Sequence, residues 1–145
     1  MDNSTFAALL PKNAPGYLPY WMLFVSSLAV FNGVQNFLTT KLTRQVYARS
    51  PANQAGRRAV NPLQARTFAV WTLMSAIVRL YAAYNISNKA VYDITLASYV
   101  LALGHFTSEF LLFGTAGLKG AASPFIVATT SLTWMIKHYD FYVKA

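Results

Sequence analysis

"SYVLALGHFTSEFLLFGT", residues 98–115, sets one histidine and one glutamate inside an otherwise apolar run. His105 and Glu109 stand four residues apart, so a helix brings them to one face. Such a pair can be a general acid and base, half of a metal site, or polar glue between helices. Which role applies depends on whether the run is a soluble core helix or crosses a bilayer.

Composition decides that question. The chain of 145 residues is 55% hydrophobic and only 11% charged, against roughly a quarter charged in an ordinary soluble domain. So few charges leave too little polar surface to cover a soluble protein this small. Apolar runs occupy residues 17–38, 67–86, 91–113 and 122–136. The first three approach the ~20 residues that cross the hydrocarbon as helix. The fourth reaches that length by extending to residue 142 through Tyr139, Phe141 and Tyr142, with Lys137 snorkelling to the headgroups. The expected fold is all-α, an integral membrane four-helix up-and-down bundle. Residues 1–145 then form one transmembrane domain, with spans at about 17–38, 67–86, 91–113 and 122–142. The first run is too long for a signal-peptide core and is followed by no A-x-A-like site, so it reads as a retained span.

Absence of cysteine excludes disulfides, thiolate catalysis and thiolate metal sites. The formal charge of +8 does not imply a nucleic-acid partner, because the basic residues flank apolar spans. The loop at 39–66 carries Lys41, Arg44, Arg49, Arg57, Arg58 and Arg66, half of all lysines and arginines, which predicts that it faces the cytoplasm. Five of these, Lys41, Arg44, Arg49, Arg57 and Arg58, are candidate docking residues for a partner or for lipid headgroups. Both termini then face the lumen. Tyr17, Tyr20, Trp21, Tyr81, Tyr84, Tyr92, Trp134, Tyr139 and Tyr142 fall at the span ends on that side, as expected of an aromatic belt.

Local signals set the expected boundaries. Asn61-Pro62-Leu63-Gln64 reads as an N-cap, a proline at the first helical position and a capping-box glutamine. Ser123-Pro124 opens the fourth helix in the same way, and Gly114, Gly117 and Gly120 break the third. "TKLTRQVYARS", residues 40–50, is expected to carry the first helix on beyond the membrane, and residues 51–61 to form the polar, flexible segment. Asn3-Ser4-Thr5 and Asn85-Ile86-Ser87 match the N-glycosylation pattern, which is common by chance, and Asn85 lies close to the bilayer.

Polar residues inside the spans align by helix. Asn32, Gln35 and Asn36 share a face of the first; Thr72, Ser75 and Arg79 of the second; Ser98, Ala102, His105 and Glu109 of the third. Thr130, Thr133 and Lys137 are expected to line the fourth. Intramembrane polar groups usually face protein or water. Counting from the turn near Asn88 places Glu109 level with Phe68, one turn from Arg66. The expected pairing is Glu109 with Arg66, with His105 and Gln35 as hydrogen-bond neighbours. Arg79 lies level with Ser98, about 10 Å from His105, and is expected to reach the lumenal interface or Asp93. Asn32, Gln35, Asn36, Arg66, Arg79, His105 and Glu109 thus form a polar cluster that is structural or partner-binding. Interhelical hydrogen bonding is the leading reading, ahead of partner or lipid binding and of catalysis.

No dinucleotide, P-loop, zincin or nucleophile-elbow motif is present. The two histidines, His105 and His138, fall near opposite ends of the bundle, so a multi-histidine iron site cannot form within the chain. No catalytic, cofactor-binding or metal residue is therefore assigned, and no cofactor is expected.

"GYLPYWMLFVSSLAVFN", "LTRQVYAR", "ARTFAVWT", "SYVLALGHFTSEFLLFGT" and "ATTSLTWM" occur in order between Gly16 and about Tyr142. Together they resemble the ergosterol biosynthetic protein 28 family. The resemblance implies a small multi-pass protein of the endoplasmic-reticulum membrane, without activity of its own, that gathers the enzymes of sterol C-4 demethylation. The implied partners are the C-4 methyl oxidase, the 3β-hydroxysteroid dehydrogenase/decarboxylase and the 3-ketoreductase, with membrane lipid and sterol as further candidates. Two alternatives stand beside the scaffold. One is an intramembrane sterol-modifying enzyme using His105 and Glu109; the other is a small lipid- or sterol-binding or transport protein built around Arg79.

Overall fold

The computed structural model describes residues 10–11, 14–50 and 60–143. Among them the chain is all helical, without strands: α1 Leu18–Leu38, α2 Lys41–Val46, α3 Pro62–Tyr84, α4 Lys89–Leu111, α5 Leu118–Lys137 and the single turn α6 Tyr139–Tyr142. The helices α1, α3 and α4 are long and apolar enough to cross a membrane. The sequence predicts four such spans, and the 20-residue α5 is not in this set. The outer faces match a lipid solvent. Phe31 and Ile77 are 63% and 60% exposed, and in water such faces would be covered.

The capping residues act as the sequence predicts. The Asn61 side chain accepts the Gln64 N–H at 2.9 Å, with Pro62 in the first turn of α3. Asn88 caps α4 by accepting the Val91 N–H at 3.2 Å. Small residues let α1 and α3 approach closely. Ala65, Ala69, Ala76 and Ala83 are buried on α3, and a Cβ on Gly33 of α1 would lie 2.8 Å from the Leu73 side chain.

Three expectations fail, each for a local reason. First, residues 40–50 do not extend α1. Thr39 is extended at φ −152°, ψ 151°, and its hydroxyl accepts the Lys41 N–H at 3.2 Å. A threonine offering the backbone this alternative bond competes with helix propagation. The following α2 turns back, with Val46 and Tyr47 buried beside Val60, Phe68 and Phe106.

Second, the last long helix opens at Leu118, not at Ser123-Pro124, and Pro124 lies inside it. Tertiary bonds form the upstream turn. The Gly117 N–H donates to the Val46 carbonyl at 2.9 Å, and the Arg49 N–H to the Thr115 carbonyl at 3.0 Å. Gly120, expected to break a helix, lies in one: its missing Cβ would stand 2.0 Å from the Gln45 carbonyl oxygen. Only glycine lets α5 rest on the backbone of α2. Of the three glycines, Gly114 supplies the break after α4, at φ +63°.

Third, Thr130, Thr133 and Lys137 face outward, while Ala121, Ala128, Ser131, Leu132 and Met135 are buried. The inward stripe of α5 is small and apolar, with Ser131 as its polar member. Ser131 accepts the Trp21 indole N–H at 2.9 Å.

The expected belt also divides. Tyr17, Tyr20, Tyr81 and Tyr84 face outward, but Tyr92 and Tyr142 are buried. The Tyr92 hydroxyl donates to the Met135 carbonyl at 2.9 Å, and the Tyr142 hydroxyl accepts the Leu18 N–H at 3.3 Å. A buried tyrosine that finds a backbone partner is a core residue with a polar tip. The first contact ties α4 to α5, and the second ties the start of α1 to α6.

Candidate functional site

The polar residues of the spans form separate groups at different depths. Near the 39–66 connection, Asn36 donates from Nδ2 to Asn32 Oδ1 at 2.7 Å. Its own Oδ1 accepts the buried Thr43 hydroxyl at 2.6 Å. This chain of bonds fastens α2 to the end of α1. Gln35 is half-buried beside it.

One layer away, Tyr47 at the end of α2 brings its hydroxyl to 2.7 Å from His105 Nε2. Burial first, and then the Glu109 charge, push the Tyr47 phenol well above its usual range. It therefore stays protonated and is the natural donor to an unprotonated imidazole nitrogen. Trp71 and Phe106 meet the same imidazole edge-on, at centroid distances of 5.6 and 5.2 Å. His105 is thereby enclosed by aromatic rings with one polar partner.

Glu109 does not meet Arg66. Its carboxylate accepts the Thr115 hydroxyl from the α4–α5 loop, and its backbone carbonyl accepts the N–H groups of Thr115 and Ala116. Among the described residues the ion pair is Lys89–Asp93, at 2.5 Å. Ala65, Phe68 and Ala69 take the inward positions of α3, which leaves Arg66 on the exposed flank. Phe68, expected level with Glu109, meets Phe106 edge-on, about one turn of α4 away from that level. The expected rotation about the helix axis does not hold.

Arg79 departs further from expectation. It is 7% exposed and reaches neither Asp93 nor the interface. Its guanidinium lies 4.0 Å from the centre of the Tyr99 ring, and its Nε is buried without a hydrogen-bond partner. Asp93 instead accepts from Lys89 and from the Tyr139 hydroxyl, the latter at 2.6 Å. Beside Arg79 opens a cavity of about 320 Å³, walled by α1 to α5, into which Asn32, Thr72 and Ser75 also face. The polar faces of the first two spans converge on this space.

Of the candidate docking residues, Lys41, Arg44 and Arg49 are exposed, and the Arg49 guanidinium lies 5.5 Å from the Phe110 ring centre. Arg57 and Arg58 lie outside the described residues, as does the Asn3 sequon. Asn85 of the other sequon turns its amide back to the Tyr81 carbonyl at 2.9 Å. The functional partners that sequence reasoning missed are Thr43, Tyr47 and Thr115, all outside the expected spans. For the first two a signal was available in "LTRQVYAR", which carries a hydroxyl and a phenol four residues apart on a short amphipathic segment. No group of three or more potential metal-ligating side chains occurs among the described residues.

Comparison with known proteins adds to this geometry. A family model described as Erg28 like protein matches residues 18–133. The chain is 47% identical to ergosterol biosynthetic protein 28 of Candida albicans over 140 residues, covering 96% of this chain and 97% of that protein. It is 41% identical to the Saccharomyces cerevisiae protein of the same name, covering 95% and 88%. Its identity to the human ergosterol biosynthetic protein 28 homolog is 42%, with 80% of each chain covered. No solved structure matches significantly.

Proposed function

The chain belongs to the Erg28-like family, and from that premise we propose that it is a non-catalytic scaffold of sterol biosynthesis. It is held in the endoplasmic-reticulum membrane as a multi-pass protein, with α5 and α6 as the fourth crossing of an up-and-down bundle and the 39–66 connection in the cytoplasm. Its clients are the enzymes of sterol C-4 demethylation: the C-4 methyl oxidase, the 3β-hydroxysteroid dehydrogenase/decarboxylase and the 3-ketoreductase. The relatives' names supply the biosynthetic context, and the residue-level family resemblance supplies the clients.

One observation carries the non-catalytic part of the reading. The two side chains best suited to acid–base chemistry face different partners: His105 meets Tyr47, and Glu109 meets Thr115. Each bond fastens a segment outside the apolar runs to α4. An acid–base mechanism needs both groups free to reach one reacting atom, and here each is engaged by a partner that fastens the fold. Tethering enzymes, by contrast, needs no chemistry from the tether. It raises their effective concentration toward the millimolar range where geometry allows.

Affinity capture in mild detergent tests this reading. The three enzymes should co-purify with the tagged chain. Cells lacking it should accumulate C-4-methylated intermediates while each enzyme keeps its activity assayed singly, and fusing the enzymes should partly restore flux. Unchanged assembly of the enzymes without the chain, or sterol turnover by the purified protein alone, overturns the scaffold. Protease added to sealed microsomes tests the topology, with cleavage expected within residues 51–61.

A further inference from the structure

We propose that the cavity beside Arg79 binds a membrane amphiphile that carries a single carboxylate. The inference stands on the geometry of the cavity and holds whether or not the chain is a scaffold.

The starting point is a buried cation without a counter-ion among the described residues. Arg79 lies in the interior of α3 at 7% exposure, with Nε unpartnered. Every described carboxylate is accounted for elsewhere. Asp93 is bound to Lys89 and Tyr139, Glu109 to Thr115, and Asp140 is exposed. The Tyr99 ring covers the guanidinium at 4.0 Å and offers a cation–π contact. The ring face supplies no oxygen acceptor, and Nε is left without a hydrogen-bond partner. An uncompensated charge at this depth of a span is costly and marks a binding function by default.

The space beside the guanidinium has the shape of a lipid site. Its volume of about 320 Å³ falls at the small end of the range for small-molecule pockets, ~300–1,000 Å³. Its wall on α3 runs from Phe68 to Arg79, about 16 Å at the helical rise per residue. Phe68, Trp71, Val127 and Ala128 give it an apolar side, while Asn32, Thr72 and Ser75 add polar groups nearer Arg79. Among the lining residues Leu28 of α1, Gln45 of α2 and Lys119 and Ser123 of α5 are exposed, so the cavity opens both on the side of the helices and toward the connection end. A ligand entering there places an apolar body along Phe68 and Trp71 and its polar end at Arg79.

Charge selects the headgroup. A guanidinium edge matches a carboxylate by two parallel N–H bonds, and one monoanion neutralises one arginine. A phosphate dianion would bring an unmatched second charge to the same depth, which burial penalises. Uncharged alcohols leave the arginine uncompensated. The shared chemistry is thus a lipid carboxylate, supplied by a fatty acid or by a sterol acid.

The test uses the purified full-length protein in nanodiscs, with radiolabelled oleate and cholenic acid as probes and their methyl esters as competitors. At least one acid should bind about tenfold or more tightly than its own ester, and Arg79→Gln should bring that ratio close to one. Arg79→Lys should retain part of the preference, since it keeps charge but loses the fork. Preference for oleate identifies a fatty-acid site, and preference for cholenic acid a sterol-acid site. Ser75→Leu narrows the cavity one turn from Arg79 and should abolish binding without lowering the melting temperature. This variant decides the matter if Arg79→Gln does not fold. Equal binding of acid and ester, binding of neither acid, or unchanged binding in Ser75→Leu overturns the proposal.

Discussion

The two ends of the molecule are closed by different means. At the terminal end, tyrosine hydroxyls reach backbone groups across the core: Tyr92 to Met135, and Tyr142 to Leu18. Leu18, Met22, Ile86 and Met135 are almost wholly buried around them. At the connection end, side chain meets side chain, as Tyr47 with His105 and Thr43 with Asn36. There α2 and the start of α5 lie against each other with almost no side chain between them. The first end depends on packing around a few fixed hydroxyls. The second depends on segments outside the spans being drawn in, and so on close backbone fit.

That difference predicts the largest effect at Gly120. An alanine Cβ there would meet the Gln45 carbonyl at 2.0 Å, and backbone cannot rotate away as a side chain can. Gly120→Ala should cost about 3 kcal/mol, near the upper end for overpacking, and should separate α2 from α5. Gly104 in α4 has open space where a methyl would stand, with no neighbouring atom within 4 Å. Gly104→Ala should therefore leave the melting temperature level or raise it, by up to about 1 kcal/mol of helix propensity. Equal melting temperatures for the two variants in detergent would remove the claim that the connection end rests on backbone contact.

The terminal end should respond more moderately. Tyr92→Phe leaves the Met135 carbonyl without its donor inside the core, at a cost of about 1–2 kcal/mol. At the connection end, Glu109→Ala loses the Thr115 contact and should lower stability by about 1 kcal/mol, whereas Asp140→Ala on the exposed flank should be nearly silent. Thermal melting of the variants side by side ranks them. A Glu109→Ala protein as stable as Asp140→Ala would show that the carboxylate does not hold the loop.

Much of the fold is legible in the sequence because hydropathy and caps are local. The apolar runs around residues 17–38 and 67–86, the capping box at Asn61 and the turn at Asn88 need no knowledge of neighbours. Relative depth is legible to within about a turn, because helical rise is constant, and Phe68 meets Phe106 rather than the level of Glu109. Azimuth is not. Whether Arg66 or Ala65 points inward is settled by what α3 packs upon. The start of α5 is hidden for a similar reason, since Ser123-Pro124 is a good local start overruled by bonds from Val46 and Thr115. Arg79 reads in sequence as a lumenal or Asp93-paired charge because sequence shows charges but not cavities.

The smallest expected effect sharpens the comparison through pH. Burial, reinforced by Glu109, holds the Tyr47 phenol protonated beyond its ordinary value of 10.0. A group whose proton is held more tightly in the folded chain stabilises the fold fully below its unfolded value and progressively less above it. Stability from Tyr47 should thus be complete at neutral pH and decline as pH rises above about 10, toward the folded value. Tyr47→Phe keeps the ring against Phe68, whose centroid lies 5.8 Å away, and removes the ionisation. The variant should be somewhat less stable at neutral pH, for want of the His105 bond, and should lose less on going to alkaline pH than the parent. Melting curves from pH 8 upward measure the difference in slope. Parallel slopes would mean that water reaches the phenol in the folded chain, and that the connection end is looser than its side-chain bonds suggest.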